Sequence, residues 1–289
     1  MNFTPVNLEG LEGRAESLKS IKRYGMYDIM YFRTDVEMHS RRMEWIADVL
    51  SPYFSQHEGF DPLRLRLLCR VHDDSEIITG DHQLGRKIHT MSKGELDAME
   101  RGEQRAIEIL SSRWPVLIQG YSYGKLLREA HEKETFGAQL MKLIDRLDAY
   151  GESSHEIFSG NACFLSHPEL PEGVNPVQTY TEILSQTPKR FPLLTRYFEG
   201  RHPFLSSPNP VDSGQIARTA RLPNKKSVKG RTGNLHYDLW REITLNYGGE
   251  EGLRWLTEQK EFNMGEYYIE NATRKIGDKR GRVPSRNIH

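Results

Sequence analysis

The segment 61–81 constrains this chain more than any other. It opens with Asp61-Pro62, a capping side chain followed by proline at a first helical position. The run Leu63, Leu65, Leu67, Leu68 and Val71 is too dense for the single stripe of a surface helix. The pattern therefore predicts a central helix over 62–78, broken by Thr79-Gly80-Asp81. Into that apolar helix the sequence sets His72, Asp73, Asp74 and Glu76. A carboxylate buried without a partner is costly. Either this stretch is the solvated end of the helix, or an opposite charge meets it. A divalent cation is one such charge, and imidazole with carboxylate suits Mn, Fe, Co, Ni or Zn better than calcium. Glu76, one helical turn from His72, can face the same place without being a ligand. Spacing alone leaves both readings standing.

Helical spacing also marks 8–25, 38–54 (Met43, Ile46, Val49 or Leu50, Tyr53), 95–112, and 115–131 despite Gly120 and Gly124. It marks 134–158 too, with Phe136, Leu140, Leu143 or Ile144, and Leu147 on one side. No convincing alternating run occurs in the first 165 positions, so this part is expected to be all-α. Beyond 166 prolines punctuate short segments, with helices expected at 177–186, 191–199, 235–247 and 250–260. The division expected is a domain over 1–165 and a mostly helical, loop-rich extension over 166–289. The extension should pack on the core, because Trp240, Leu245, Leu253 and Trp255 need burial. The loop 206–233 is basic, with Arg218, Arg221, Lys225, Lys226, Lys229 and Arg231 against Asp212, and the tail 274–289 is basic as well. That loop can build no core, and is expected to move or to cover a pocket mouth.

Composition excludes some functions. The 40 basic and 40 acidic side chains cancel, which argues against a chain built as a whole to coat a polyanion. No stretch approaches the ~20 apolar residues of a membrane helix. Met1-Asn2-Phe3-Thr4-Pro5 lacks the pattern of a signal peptide. Cys69 and Cys163 are too few for a disulfide framework. A soluble cytoplasmic protein without a membrane partner is the expectation.

The polar residues fall in the order His39, His72-Asp73, Asp145. This resembles the H…HD…D signature of the HD-domain metal-dependent phosphohydrolases. Arg33-Thr34 with Glu37-Met38-His39-Ser40, the block from His72-Asp73 through Glu76 to Thr79-Gly80-Asp81, and Lys142 to Asp145 followed by Ala149-Tyr150 resemble the bacterial 5'-deoxynucleotidases of that superfamily. The likeness covers about 15–165.

The resemblance implies an orthogonal helix bundle around one divalent metal (Mn, Co, Fe, Ni or Zn, with Mg admitted), held by His39, His72, Asp73 and Asp145. It implies proton transfer by Glu76 and a sugar-contacting or site-ordering role for Asp81. Arg23, Arg33 and Lys87 would meet phosphate, guanidinium being suited to that fork geometry. Tyr24 stands where the family has a sugar-packing Trp, which opens the question of sugar selectivity. Arg33 reads equally well as a structural ion-pair partner. Asp148 reads as a partner of Arg or Lys.

The function implied is a 5'-nucleotidase acting on (deoxy)nucleoside monophosphates, with a nucleotide substrate and room for a homodimer. The same metal set would serve a deoxynucleoside triphosphate or cyclic-nucleotide hydrolase. A nucleic-acid-binding protein with a relic core, using the basic loop and Tyr267-Tyr268, is the weaker reading, because every metal-site residue is present. His57, His82, His89, His131, His155, His167, His202 and His236 have no ligand-like spacing, and Trp45, Trp114, Trp240 and Trp255 read as core anchors.

Overall fold

Short polar side chains set where the helices begin. The structure is a computed structural model that describes residues 3–258 apart from 28, 199–201, 213–215 and 217–219. The helix α1 (Arg14–Ser20) is shorter than the pattern over 8–25, because Gly10 and Gly13 take left-handed φ values of 91° and 77° before it. The helix α2 (Val36–Leu50) follows Asp35, whose carboxylate accepts from the Met38 amide at 2.9 Å. Asp61 accepts from the amides of Leu63 and Arg64 and starts α3 (Pro62–Val71).

The helix expected over 62–78 is interrupted. After Val71 the chain turns, and only α4 (Glu76–Thr79) follows. The amides of Asp74, Glu76, Ile77 and Ile78 each bond a carbonyl three residues back, a tighter winding than an α-helix. Asp74 is fully buried there, and accepts from Arg14 Nε at 2.7 Å and Tyr123 Oη at 2.8 Å. Gly80, at φ 74°, ends α4.

Between Gly80 and Ser92, where the spacing predicted no helix, stands α5 (Leu84–His89). Ser92 and Glu95 form a capping box for α6 (Lys93–Arg113). The pattern over 115–131 resolves into a hairpin, β1 (Leu117–Ile118) and β2 (Tyr121–Ser122), and then α7 (Tyr123–Glu132). Gln119 and Gly120 make its turn with φ of 47° and 90°, which suits a two-residue hairpin. Thr135 caps α8 (Phe136–Phe158), and Asn175 caps α9 (Pro176–Ser185). A turn of helix, α10 (Thr187–Arg190), precedes a 3-10 segment at Pro192–Tyr197 in place of the helix expected over 191–199. Asn234 caps α11 (Leu235–Thr257), which is broken at Gly249.

The architecture is an all-α bundle apart from that hairpin. The helix α8 lies against α2, α3 and α7 and also carries α9 and α11. One apolar core joins Ile46, Leu68 and Leu140 to Tyr180, Trp240 and Trp255, so residues on both sides of position 166 are buried together. The basic loop differs from expectation. Its Val228 is buried, and Arg241 of α11 donates to the carbonyls of Ser227 and Gly230, so this part of the loop is packed onto α11. Arg218, Tyr267-Tyr268 and the tail 274–289 lie outside the described residues. Among the described residues no helix is long and apolar enough to cross a membrane.

Candidate metal centre

Three elements meet here: His39 on α2, His72 and Asp73 in the turn after α3, and Asp145 on α8. The ligand atoms of His39, His72 and Asp145 all lie within 4.8 Å of one another, and Asp73 stands beside both histidines. His39 Nε2 stands 3.2 Å from Asp145 Oδ1 and 3.5 Å from Asp73 Oδ2. His72 Nε2 stands 3.1 Å from Asp73 Oδ2 and 4.0 Å from Asp145 Oδ1. Both Nε2 atoms are buried and make no hydrogen bond among the described residues.

The other ring nitrogens say why. His39 Nδ1 lies 2.7 Å from Asp148 Oδ2, and His72 Nδ1 lies 3.1 Å from the Cys69 carbonyl. Carboxylate and carbonyl accept, so each Nδ1 carries the proton and each Nε2 turns a lone pair toward the two carboxylates. Lone pairs gathered this way repel one another unless a cation lies among them. Two imidazoles and two carboxylates fit a divalent transition metal, and the carboxylate behind His39 is the usual support of a metal-bound imidazole.

The surrounding charges are built to match. Burial opposes ionisation of Asp145, but Lys142, in direct contact with it, and then His39 hold it well below the usual carboxylate range. Burial opposes ionisation of Asp73 too, and His72 then His39 outweigh it. Burial and Arg23 push His39 down, whereas Asp145 and Asp148 push it further up. Arg42 meets Asp148 with two parallel hydrogen bonds, Nε to Oδ1 at 2.8 Å and Nη2 to Oδ2 at 2.9 Å, and reaches Glu152 at 2.6 Å. Asp148 thus pairs with an arginine, as its spacing suggested, and supports His39 as well.

Glu76 lines a cavity of about 110 Å³ together with His72, Asp73, Lys87, Lys133 and Lys142. Its Oε2 is buried without a hydrogen-bond partner among the described residues. Burial pushes its carboxyl well above the usual range, with Asp73 and Asp81 adding to the effect. Asp81 is raised as well, chiefly by burial, and accepts from Gln83 Nε2 at 2.5 Å. A larger cavity of about 650 Å³ runs along α11, and none of the four donors lines it.

The residues expected to meet phosphate divide. Arg23 is buried at the site, with Nη1 4.0 Å from Asp73 Oδ2 and Nε donating to Glu152 Oε2 at 2.8 Å. Lys87 lies across the cavity, 3.4 Å from Glu103 Oε1. Arg33, read either as a phosphate contact or as a structural partner, donates to the carbonyls of Arg23, Tyr24 and Tyr27 and so braces the turn that carries Arg23. That turn holds Tyr24 at φ 55°, a rare conformation for a bulky residue and one that clusters at functional sites. Tyr24 itself is buried, with its hydroxyl at 3.0 Å from both the Ala149 carbonyl and Ser153 Oγ.

Arg42, Glu152 and Lys133 were not singled out from the sequence, and His131 was read there as having no ligand-like spacing, although it groups with Glu100 and Glu103. His131 lines the same cavity and stands 2.8 Å from Glu100 Oε1. Arg42 follows His39 by three positions, and Glu152 follows Asp148 by four. Helical facing could have paired them, given which helices adjoin.

The chain matches the family described as 5'-deoxynucleotidase YfbR-like over residues 14–171. No curated protein matches it. Among solved structures it is similar to a conserved hypothetical protein from Pyrococcus furiosus. The two are 23% identical, with 61% of this chain and 97% of that one covered and a TM-score of 0.40.

Proposed function

Since the chain belongs to the YfbR-like 5'-deoxynucleotidase family and is thereby a metal-dependent phosphomonoesterase, we propose that His39, His72, Asp73 and Asp145 hold its metal ion, with Glu76 as the proton-transfer residue. One observation carries this assignment: two buried imidazoles have their Nδ1 atoms engaged elsewhere and aim unbonded Nε2 lone pairs at the same two carboxylates. Imidazole with carboxylate favours Mn, Co, Fe, Ni or Zn over calcium.

A phosphomonoester dianion repels an incoming nucleophile, so the site must neutralise its oxygens and position a water. A divalent ion, when bound, supplies a Lewis acid at the phosphoryl group and lowers the pKa of water. The chain's own residues do the rest. Arg23, 4.0 Å from Asp73, and Lys87, which lines the cavity with Glu76, hold phosphoryl oxygens. Glu76, whose carboxyl burial pushes well above the usual range, delivers a proton to the 5'-oxygen as the P–O bond breaks. The water adds its oxygen to phosphorus and its proton restores Glu76, so the products are a nucleoside and inorganic phosphate. Asp81, near Glu76, is placed to accept from a sugar hydroxyl. The cavity beside His72 and Asp73 is lined by Lys87, Lys133 and Lys142, which suits an anionic phosphoryl group.

The test is phosphate release from nucleoside mono-, di- and triphosphates in manganese, cobalt and magnesium. Release from 5'-monophosphates that stops with a chelator and returns with metal is expected. Cleavage of triphosphates or cyclic diesters with monophosphates untouched would overturn the substrate assignment.

A further inference from the structure

The helix α11 lies outside residues 14–171, yet it reaches the donor cluster. Its Trp240 ring occupies the place of a side chain at position 151 of α8, where a Cβ on Gly151 would stand 2.2 Å from the indole. With no Cβ in the way, the ring sinks to the level of the α8 backbone. From there Nε1–H donates to Asp148 Oδ1 at 2.7 Å. Arg42 Nε donates to the same oxygen, and the Arg42 guanidinium also lies 5.5 Å from the Trp240 ring centre. The other oxygen of Asp148 takes Arg42 Nη2 and His39 Nδ1. Asp148 and His39 are both wholly excluded from water. Trp240 is therefore two hydrogen bonds from the Nε2 atom that faces Asp73 and Asp145.

We propose that Trp240 is a positioning residue of the metal centre. Its indole N–H fixes the plane of the Asp148 carboxylate, and that carboxylate fixes the tautomer and the direction of His39. The inference rests on the reading of His39 as a ligand. The reasoning is geometric. Each Asp148 oxygen has two donors, so the carboxylate is held from four sides. Without the indole N–H, Oδ1 keeps one donor and water cannot replace the other in a packed site. The carboxylate can then rotate toward its remaining donors, and His39 Nδ1 follows it. Groups that orient a metal-bound histidine in this way contribute about 10–100-fold to metal affinity.

The test is the affinity of the full chain for manganese in wild type, Trp240→Phe and Tyr237→Phe. Phe keeps an aromatic ring near Gly151 and Arg42 and removes the donor together with the second ring of the indole, a packing loss that the Tyr237→Phe comparison and the indole resonance separate from loss of the donor. Tyr237→Phe removes another buried hydrogen bond of α11, the one of 2.7 Å to His155 Nδ1, which does not touch His39. Trp240→Phe is expected to weaken manganese binding about 10–100-fold, and Tyr237→Phe to leave it unchanged while also lowering Tm. Unchanged affinity in Trp240→Phe, or equal losses in both, would overturn the role. Should Trp240→Phe fail to fold, the indole N–H resonance of Trp240 in wild type is expected to shift when zinc is added, and a resonance that stays in place overturns the role equally. A wild-type chain that binds no metal would refute the ligand assignment itself, which is a separate failure.

Discussion

Glu76 shows how much a single carboxyl depends on what surrounds it. Half-buried near Asp73 and Asp81, it lines the cavity beside His72 and Asp73 without standing among the converging atoms. Glu76→Ala is expected to keep its metal and lose about 10²–10⁴-fold in kcat, the size of a general acid–base contribution. Asp73→Ala is expected to lose the metal, and metal analysis beside kcat separates the two. Tyr24 leads to a second expectation. Its hydroxyl is engaged within the fold and its ring packs on Phe164 and Tyr27, so little of it is left to grip a sugar. Ribo- and deoxyribonucleotides should differ in kcat/KM by less than about tenfold, the lower end of what one apolar contact gives. A much larger ratio would show that another residue selects the sugar. At this scale the polar residues that converge could be named from the sequence, because their order and the Thr79-Gly80-Asp81 block are distinctive. The direction of Arg33 could not, since its carbonyl acceptors exist only once residues 23–27 have turned.

The seam between α8 and α11 is governed by what fits at Gly151. Gly151→Ala puts a methyl group into the Trp240 ring, and such overpacking costs about 1–3 kcal/mol or more. Denaturant unfolding checks the cost, and a neutral result would mean that Trp240 can move aside. The same region makes stability depend on pH. Burial pushes His155 down to about 3 and His236 down to about 4. Both are neutral when folded at pH values where the unfolded chain, with histidine near 6.5, begins to bind protons. Between pH 6.5 and about 4 these two sites bind more protons in the unfolded state and lose stability as pH falls, while Glu156, pushed up to about 7 by burial, acts in the opposite sense. The change in Tm from pH 7.5 to 5 should therefore be less destabilising in His155→Gln than in wild type. An equal slope in the variant would remove His155 from the explanation. Among the elements, α8 was legible because its apolar spacing is long and regular. The break after Val71 was not, because it depends on Arg14 and Tyr123 reaching Asp74 from distant positions. The hairpin was not, because strands of two residues show no alternation.

At the scale of the molecule, the main core of the described residues runs across position 166, and α9 and α11 both rest on the helix that carries Asp145 and Asp148. The tryptophans of the extension made that burial legible, but no pattern pointed to a hydrogen bond from one of them to Asp148. The basic loop was expected to move or to cover a pocket mouth; of its charged residues, Lys229 and Arg231 line the cavity along α11. Lys229→Glu with Arg231→Glu is accordingly expected to leave kcat/KM for nucleotides within about twofold, since exposed charges beyond a Debye length of ~8 Å are largely screened. A large loss in that assay would bring the loop to the pocket mouth after all. The central claim is the convergence of His39, His72, Asp73 and Asp145 on one ion. Anomalous diffraction from manganese-loaded crystals tests it most directly. One peak about 2.0–2.2 Å from Nε2 of both histidines and from both carboxylates is the result expected. A sole peak at Glu100, Glu103 and His131, the other described cluster of ligand type near the cavity, would contradict it.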